Sequence, residues 1–203
     1  MPIFYQQQVD AHTRLGVWKI EETEAFFKGN VPHHREVTHP KKRLQHLAGR
    51  FLLQYLRPDF PYSLIEIADT RKPYLPGEQY HFSISHCGDY AAAIVSGDKR
   101  VGIDVEIPVE GILRIRDKFL SPPEQARFGT DDMELLTLLW SCKESIFKWY
   151  GSGEVDFRKH IILQKIDAIA QIISCSFQKT GSQHLIHFRK FDGLVLTWTT
   201  MDA

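Results

Sequence analysis

Apolar positions recur along this chain in two rhythms, one helical and one strand-like. After Pro40, residues Leu44, Leu47, Phe51 and Tyr55 return every three or four places. That spacing predicts an amphipathic helix over Pro40–Leu56. Proline suits its first turn, and Pro58 and Pro61 end it. A second stripe, Leu135, Leu138, Leu139, Cys142, Ile146 and Trp149, predicts another long helix. Asp131 is the expected cap, with Glu134 three residues on and Gly151 and Gly153 at the end. Ser121-Pro122-Pro123-Glu124 has the form of a capping box opening a helix between these two. Residues 21–28 read as a short helix closed by Gly29-Asn30.

The strand-like rhythm appears at 80–85, where Tyr80, Phe82 and Ile84 alternate with His81, Ser83 and Ser85. Residues 14–20 and 90–96 also read as strands, and 64–68 as a weaker one. Gly97-Asp98-Lys99-Arg100 is a turn, with 101–107 as the returning strand. Beyond the second long helix, 161–166, 169–177, 184–188 and 194–199 are apolar strand candidates. A helix-plus-sheet pattern thus occurs before about residue 100 and again after it. An α+β fold is expected, with two similar halves, 1–100 and 101–203.

Composition narrows the function classes. Apolar residues are 43% and charged residues 25%, ordinary values for a packed chain of this length. Twenty-five basic side chains balance 25 acidic ones, so bulk charge does not support nucleic-acid binding, and an anion site has to be built locally. No apolar run reaches the roughly 18 residues that suggest a membrane span. The first residues lack the basic and apolar regions of a signal peptide. Cys87, Cys142 and Cys175 have neither metal-site nor disulfide-framework spacing, and free thiols in a reducing cytoplasm are expected.

Three segments carry candidate chemistry. In Gly102-Ile103-Asp104-Val105-Glu106, strand alternation sets Asp104 and Glu106 on one face. Paired carboxylates repel unless a cation neutralises them, and oxygen-only donors suit magnesium. A solvated edge strand is the plainer alternative. In Trp140-Ser141-Cys142-Lys143-Glu144-Ser145-Ile146-Phe147-Lys148, Glu144 and Lys148 are helical neighbours, and Lys143 is about 100° around the axis. They form either a surface ion pair or an acid and cations for a phosphate. In Ser83-Ile84-Ser85-His86-Cys87-Gly88, a serine and histidine at a strand end can meet an anion. Zinc at His81, His86 and Cys87 lacks a fourth ligand. A Ser85-His86 hydrolase pair fails because neighbouring strand residues face opposite ways and the G-x-S-x-G elbow is absent. Arg43 and Arg50 share a helix face, and Arg71-Lys72-Pro73 forms a basic loop.

In content and order these segments resemble the Sfp-type (surfactin-type) 4′-phosphopantetheinyl transferase family. The shared features are Lys72-Pro73, Ser83 to His86, Gly102 to Glu106, and Trp140 to Ser145 followed by Lys148, with 39 residues from Asp104 to Lys143. The resemblance spans roughly residues 43 to 148. It implies two α+β subdomains related by a pseudo-twofold axis, with the active site in the cleft between them. It implies a Mg²⁺ site at Asp104, Glu106 and Glu144. Coenzyme A phosphates would lie near Lys72, Ser85, His86, Lys143 and Lys148, with Arg43 or Arg50 at the 3′-phosphate. Catalysis would fall to Glu144, Lys148 and His86. The implied reaction moves 4′-phosphopantetheine from coenzyme A to a serine of an acyl- or peptidyl-carrier protein. The partners are that carrier and coenzyme A, with no nucleic acid and no membrane, and a cytoplasmic monomer is expected.

Two other readings stand beside it. A different magnesium enzyme acting on a nucleotide diphosphate would use the same acids and cations. A non-catalytic carrier-binding module would need an apolar surface but not the carboxylates. Ile112, Arg114, Ile115, Arg116, Lys118 and Phe119 form either a docking surface or an ordinary amphipathic helix.

Overall fold

A computed structural model of the chain describes residues 3–31 and 36–202. In chain order these form β1 (Ile3–Gln8), β2 (Thr13–Lys19), α1 (Glu24–Asn30) and α2 (Pro40–Leu56). A single 3₁₀ turn (Tyr62–Leu64) leads to β3 (Glu66–Ile67), β4 (Pro73–Tyr74), β5 (His81–Cys87), β6 (Tyr90–Ser96) and β7 (Lys99–Glu106). Helices α3 (Gly111–Phe119), α4 (Pro122–Phe128), α5 (Met133–Tyr150) and α6 (Phe157–His160) follow. Strands β8 (Ile161–Asp167), β9 (Ile172–Phe177), β10 (Ser182–Phe191) and β11 (Leu194–Asp202) complete the chain. The architecture is mixed α+β, as expected from the two rhythms.

The first sheet runs β1-β2-β6-β5 and the second β7-β11-β10-β9-β8. Alternation along the strands explains the layering. Trp18, Ala91, Ala93 and Val95 face α2, packing on Leu47, Ala48, Leu52 and Leu53. Their neighbours Leu15, Val17, Ala92 and Ile94 face the other way, onto Val101, Ile103, Val105, Leu196 and Trp198 of the second sheet. The opposite face of that sheet carries α5 through Leu139, Cys142 and Ile146. The two sheets therefore lie against each other, with α2 and α5 outside.

Several local expectations change. The strand 101–107 does not return along β6; β7 pairs antiparallel with β11, Asp104 opposite Thr197. Strand β1 has no clear signal in the sequence, because IFYQQQ ends in three glutamines and is half-buried only at alternate positions. Thr23 caps α1, so that helix starts three residues later than expected. Asp132 rather than Asp131 caps α5, accepting from Glu134 N and Leu135 N. The buried face of α2 is centred on Leu47, Ala48, Leu52 and Leu56, while Tyr55 is exposed. Ile112 and Phe119 are core residues, not surface ones.

Candidate functional site

Strand β7 and helix α5 meet across Gly102. A Cβ there would fall inside contact distance of the Ser145 carbonyl oxygen and the Trp149 amide nitrogen. The missing side chain lets the strand lie close to the helix, and Asp104, two residues on, faces α5 directly. Its Oδ2 accepts from Ser141 Oγ at 2.8 Å. Its Oδ1 accepts from Ser85 Oγ at 2.8 Å and lies 2.6 Å from Lys148 Nζ. Asp104 is buried while Lys148 keeps partial exposure, so the pair opens toward solvent on the lysine side.

Residues 140, 144 and 148 follow one another at i+4, and 141 and 145 lie beside them. This is the α5 face that meets β7. Trp140 Nε1 donates to Glu106 Oε1 at 3.1 Å. Ser145 Oγ donates to Thr197 O on β11 at 3.1 Å, and Thr197 Oγ1 donates to Ser141 O at 2.9 Å. These hydroxyl bonds lock α5 onto the second sheet. Trp140 and Ser141, read only as parts of a motif, thus orient the acids; their i+4 and i+7 relation to Glu144 and Lys148 was the available signal.

The three acids share one electrostatic neighbourhood. Burial raises the pKa of Glu106, and the charge of Asp104 adds to it. Burial also pushes Glu144 up to about 7, with Asp104 and Glu106 acting in the same direction and Lys148 opposing. Glu144 therefore feels the charges of the other two acids and of Lys148. Among the described residues, no group of three or more His, Cys, Asp or Glu side chains is arranged to hold a metal ion. The Lys148 ammonium already balances part of the negative charge at Asp104.

The basic residues divide. Lys72 lies close to α5, donating to Trp149 O at 3.3 Å, and burial together with positive Arg100 lowers its pKa to about 8. Lys72 and Lys148 both wall a cavity of about 210 Å³ that also reaches Ser83. Lys143 goes elsewhere. It is fully buried, 2.8 Å from Glu124, and donates to the carbonyl oxygens of Phe157 and Ile161. Three protein acceptors take its three donors, so it cannot serve as a phosphate contact. Glu124 is the capping-box acid of α4 and also accepts from Leu163 N.

On β5, Ser85 turns toward Asp104, so alternation turns exposed His86 to the other face, away from the acids. Ile84, also on that other face, lies against Gly49 of α2. Arg43 pairs with Glu24 of α1 at 2.8 Å and donates to the carbonyl oxygens of Val37 and Thr38. Arg50 is buried within the protein. The two arginines are thus set apart in environment, although seven residues separate them on one helix. Among the described residues, no helix is long and apolar enough to cross a membrane.

Comparison with known proteins adds to this geometry. Residues 100–199 match the family described as the 4′-phosphopantetheinyl transferase superfamily. Enterobactin synthase component D of Escherichia coli (strain K12) is 36% identical over 126 residues, covering 58% of this chain and 60% of that protein. A 4′-phosphopantetheinyl transferase of Bacillus subtilis is 38% identical over 92 residues, covering 43% of this chain and 41% of that protein. An L-aminoadipate-semialdehyde dehydrogenase-phosphopantetheinyl transferase of Xenopus laevis is 28% identical over 130 residues, covering 53% and 43%. The alignment to the E. coli protein thus spans 60% of that relative's length.

Proposed function

We propose, from the match of residues 100–199 to the 4′-phosphopantetheinyl transferase superfamily, that this chain transfers 4′-phosphopantetheine from coenzyme A to a carrier-protein serine. The observation that carries the reading is the contact of Lys148 with Asp104, in electrostatic reach of Glu106 and Glu144, while Lys148 also walls a cavity lined by a second lysine, Lys72. The Sfp-type pattern of motifs and the division into halves 1–100 and 101–203 belong to the same proposal. The first sheet draws its strands from residues 3–96 and the second from 99–202, which supports a division close to that boundary.

The coenzyme A diphosphate is assigned to the smaller cavity, because Lys148 walls it and Lys148 touches Asp104. Lys72 and Lys148 bind the diphosphate oxygens, and Ser85 holds Lys148 in place by accepting from its Nζ at 2.7 Å. The serine hydroxyl of the carrier attacks the β-phosphorus. The bond from that phosphorus to the bridging oxygen breaks, and adenosine 3′,5′-bisphosphate leaves carrying the bridging oxygen. Lys148 offsets the charge growing on it. Glu144 accepts the serine proton, directly or through water. His86 and one of Arg43 and Arg50 lie on the α2 side and are assigned to the more distant 3′-phosphate rather than to the transfer step.

By chemistry alone the donor set suits Mg²⁺, since three mutually repelling carboxylates, all oxygen donors, are the groups a hard divalent cation stabilises, although among the described residues they are not arranged as a ready-made metal group. Asp104, Glu106 and Glu144 would hold it, and when bound it supplies charge neutralisation at the diphosphate. The partner is an acyl- or peptidyl-carrier protein, and a cytoplasmic monomer is part of the proposal. The test follows release of adenosine 3′,5′-bisphosphate from coenzyme A with and without apo carrier. Release that requires carrier supports transfer. Equal release without it identifies a hydrolase acting on the diphosphate, and no release with carrier bound identifies a binding module.

A further inference from the structure

A second, larger cavity of about 470 Å³ lies on the other side of the Lys72-Pro73 segment. It contains none of Asp104, Glu106, Glu144 or Lys148, so the transfer reading leaves it without an occupant. Three basic side chains from separate elements wall it: Lys72 before β4, His81 at the start of β5, and Arg100 on β7. Glu78 is the acidic residue of its wall.

Two of the bases are anchored rather than loose. Arg100 donates to Tyr150 O at 2.9 Å and sits 5.2 Å over the Trp149 ring. Lys72 donates to Trp149 O. Each bond uses one donor, leaving four on the guanidinium and two on the ammonium for a ligand. The bases also repel. Burial lowers the pKa of His81, Glu78 of the same wall opposes this, and Arg100 and Lys72 add to the lowering; Arg100 likewise adds to the burial that lowers Lys72. Like charges held together at a concave site favour an anion. The remaining wall is partly aromatic, with Tyr74, Tyr80 and Tyr150. Tyr80 stacks on Phe60 and donates to Asp59, and Tyr150 packs edge-on against Phe177, so two of these rings are fixed.

We propose that this cavity is a binding site for a small aromatic anion, a planar ring carrying a phosphate or carboxylate, held by Arg100, His81 and Lys72. It adjoins the transfer site, sharing Lys72, Pro73, Phe82 and Gly151 with it, but Arg100 and His81 take no part in transfer, and the proposal does not depend on the transfer reading. Aromatic walls accept the ring, and the planar Arg100 fork accepts the anionic group through paired hydrogen bonds.

The experiment is a calorimetric titration of the full chain with phenyl phosphate and, separately, benzoate, with no coenzyme A present. Saturable one-to-one binding of at least one probe is expected. Arg100→Gln and His81→Gln should each weaken it tenfold or more, while Lys148→Met in the smaller cavity leaves it unchanged. Since Arg100 also braces α5, Ser152→Trp provides an independent check. Ser152 is an exposed wall residue, and a bulky side chain there should block binding without altering the melting temperature. Absence of saturable binding by either probe overturns the proposal. So does binding abolished by Lys148→Met but untouched by Arg100→Gln and Ser152→Trp, which would place the anion at the diphosphate site.

Discussion

Lys148 Nζ on α5 lies 2.6 Å from Asp104 Oδ1 on β7, and the same carboxylate is held by Ser85 from the first sheet and Ser141 from α5. One side chain thus joins three elements at the point where the candidate chemistry converges. Asp104→Asn keeps the shape and one of the two acceptor oxygens but removes the charge. Turnover should fall at least ~100-fold, the scale of losing a preorganised charge-stabilising group, with a melting temperature close to that of the parent. Steady-state kinetics and thermal unfolding of the same sample check both parts.

Gly102 sets that geometry from the backbone. Gly102→Ala places a methyl group against backbone atoms of Ser145 and Trp149, which cannot rotate aside. The variant should lose about 3 kcal/mol of stability, the upper end of overpacking costs, and its remaining folded fraction should show reduced turnover because β7 is pushed off α5. Denaturant unfolding gives the first number and activity per folded molecule the second.

The long helices were legible because their signals are local: Pro40 at the start of α2, Pro58 beyond its end, Gly151 closing α5. The shared face of Asp104 and Glu106 was legible for the same reason, since alternation along one strand decides it. Lys143 was not. Its partner Glu124 is 19 residues away on another helix, and spacing along α5 cannot tell a buried neighbour from a phosphate ligand. Arg43 met Glu24 in the same unforeseeable way. Pairing of β7 with β11 rather than β6 depends on how the two sheets stack, which no local pattern encodes.

Lys143 gives its own prediction. Removing one partner of a fully buried ion pair leaves an uncompensated charge, at a cost of about 3–5 kcal/mol. Lys143→Met should therefore lower unfolding stability by that amount, and adding Glu124→Gln should recover part of it. A loss of coenzyme A affinity at unchanged stability would instead return Lys143 to the phosphate site.

His184 makes stability depend on pH. Its ring is buried against Trp149 and Phe177, and burial lowers its pKa from 6.5 to about 4. The unfolded chain then binds the extra proton first as pH falls. This contribution is fully present above about pH 6.5 and is lost progressively between 6.5 and 4, to a limit of about 3 kcal/mol. Denaturant unfolding at pH 7 and pH 4.5 should show the drop, and His184→Phe should reduce it. An unchanged drop in that variant would assign the pH dependence to other groups.

The central claim concerns what is attached to the carrier. Apo carrier protein incubated with this chain, coenzyme A and Mg²⁺ is weighed by intact-protein mass spectrometry. The expected result is a shift of one phosphopantetheine, on a single serine, absent with Asp104→Asn. A carrier that keeps its apo mass while coenzyme A is consumed, or a full shift with the Asp104 variant, would contradict the account.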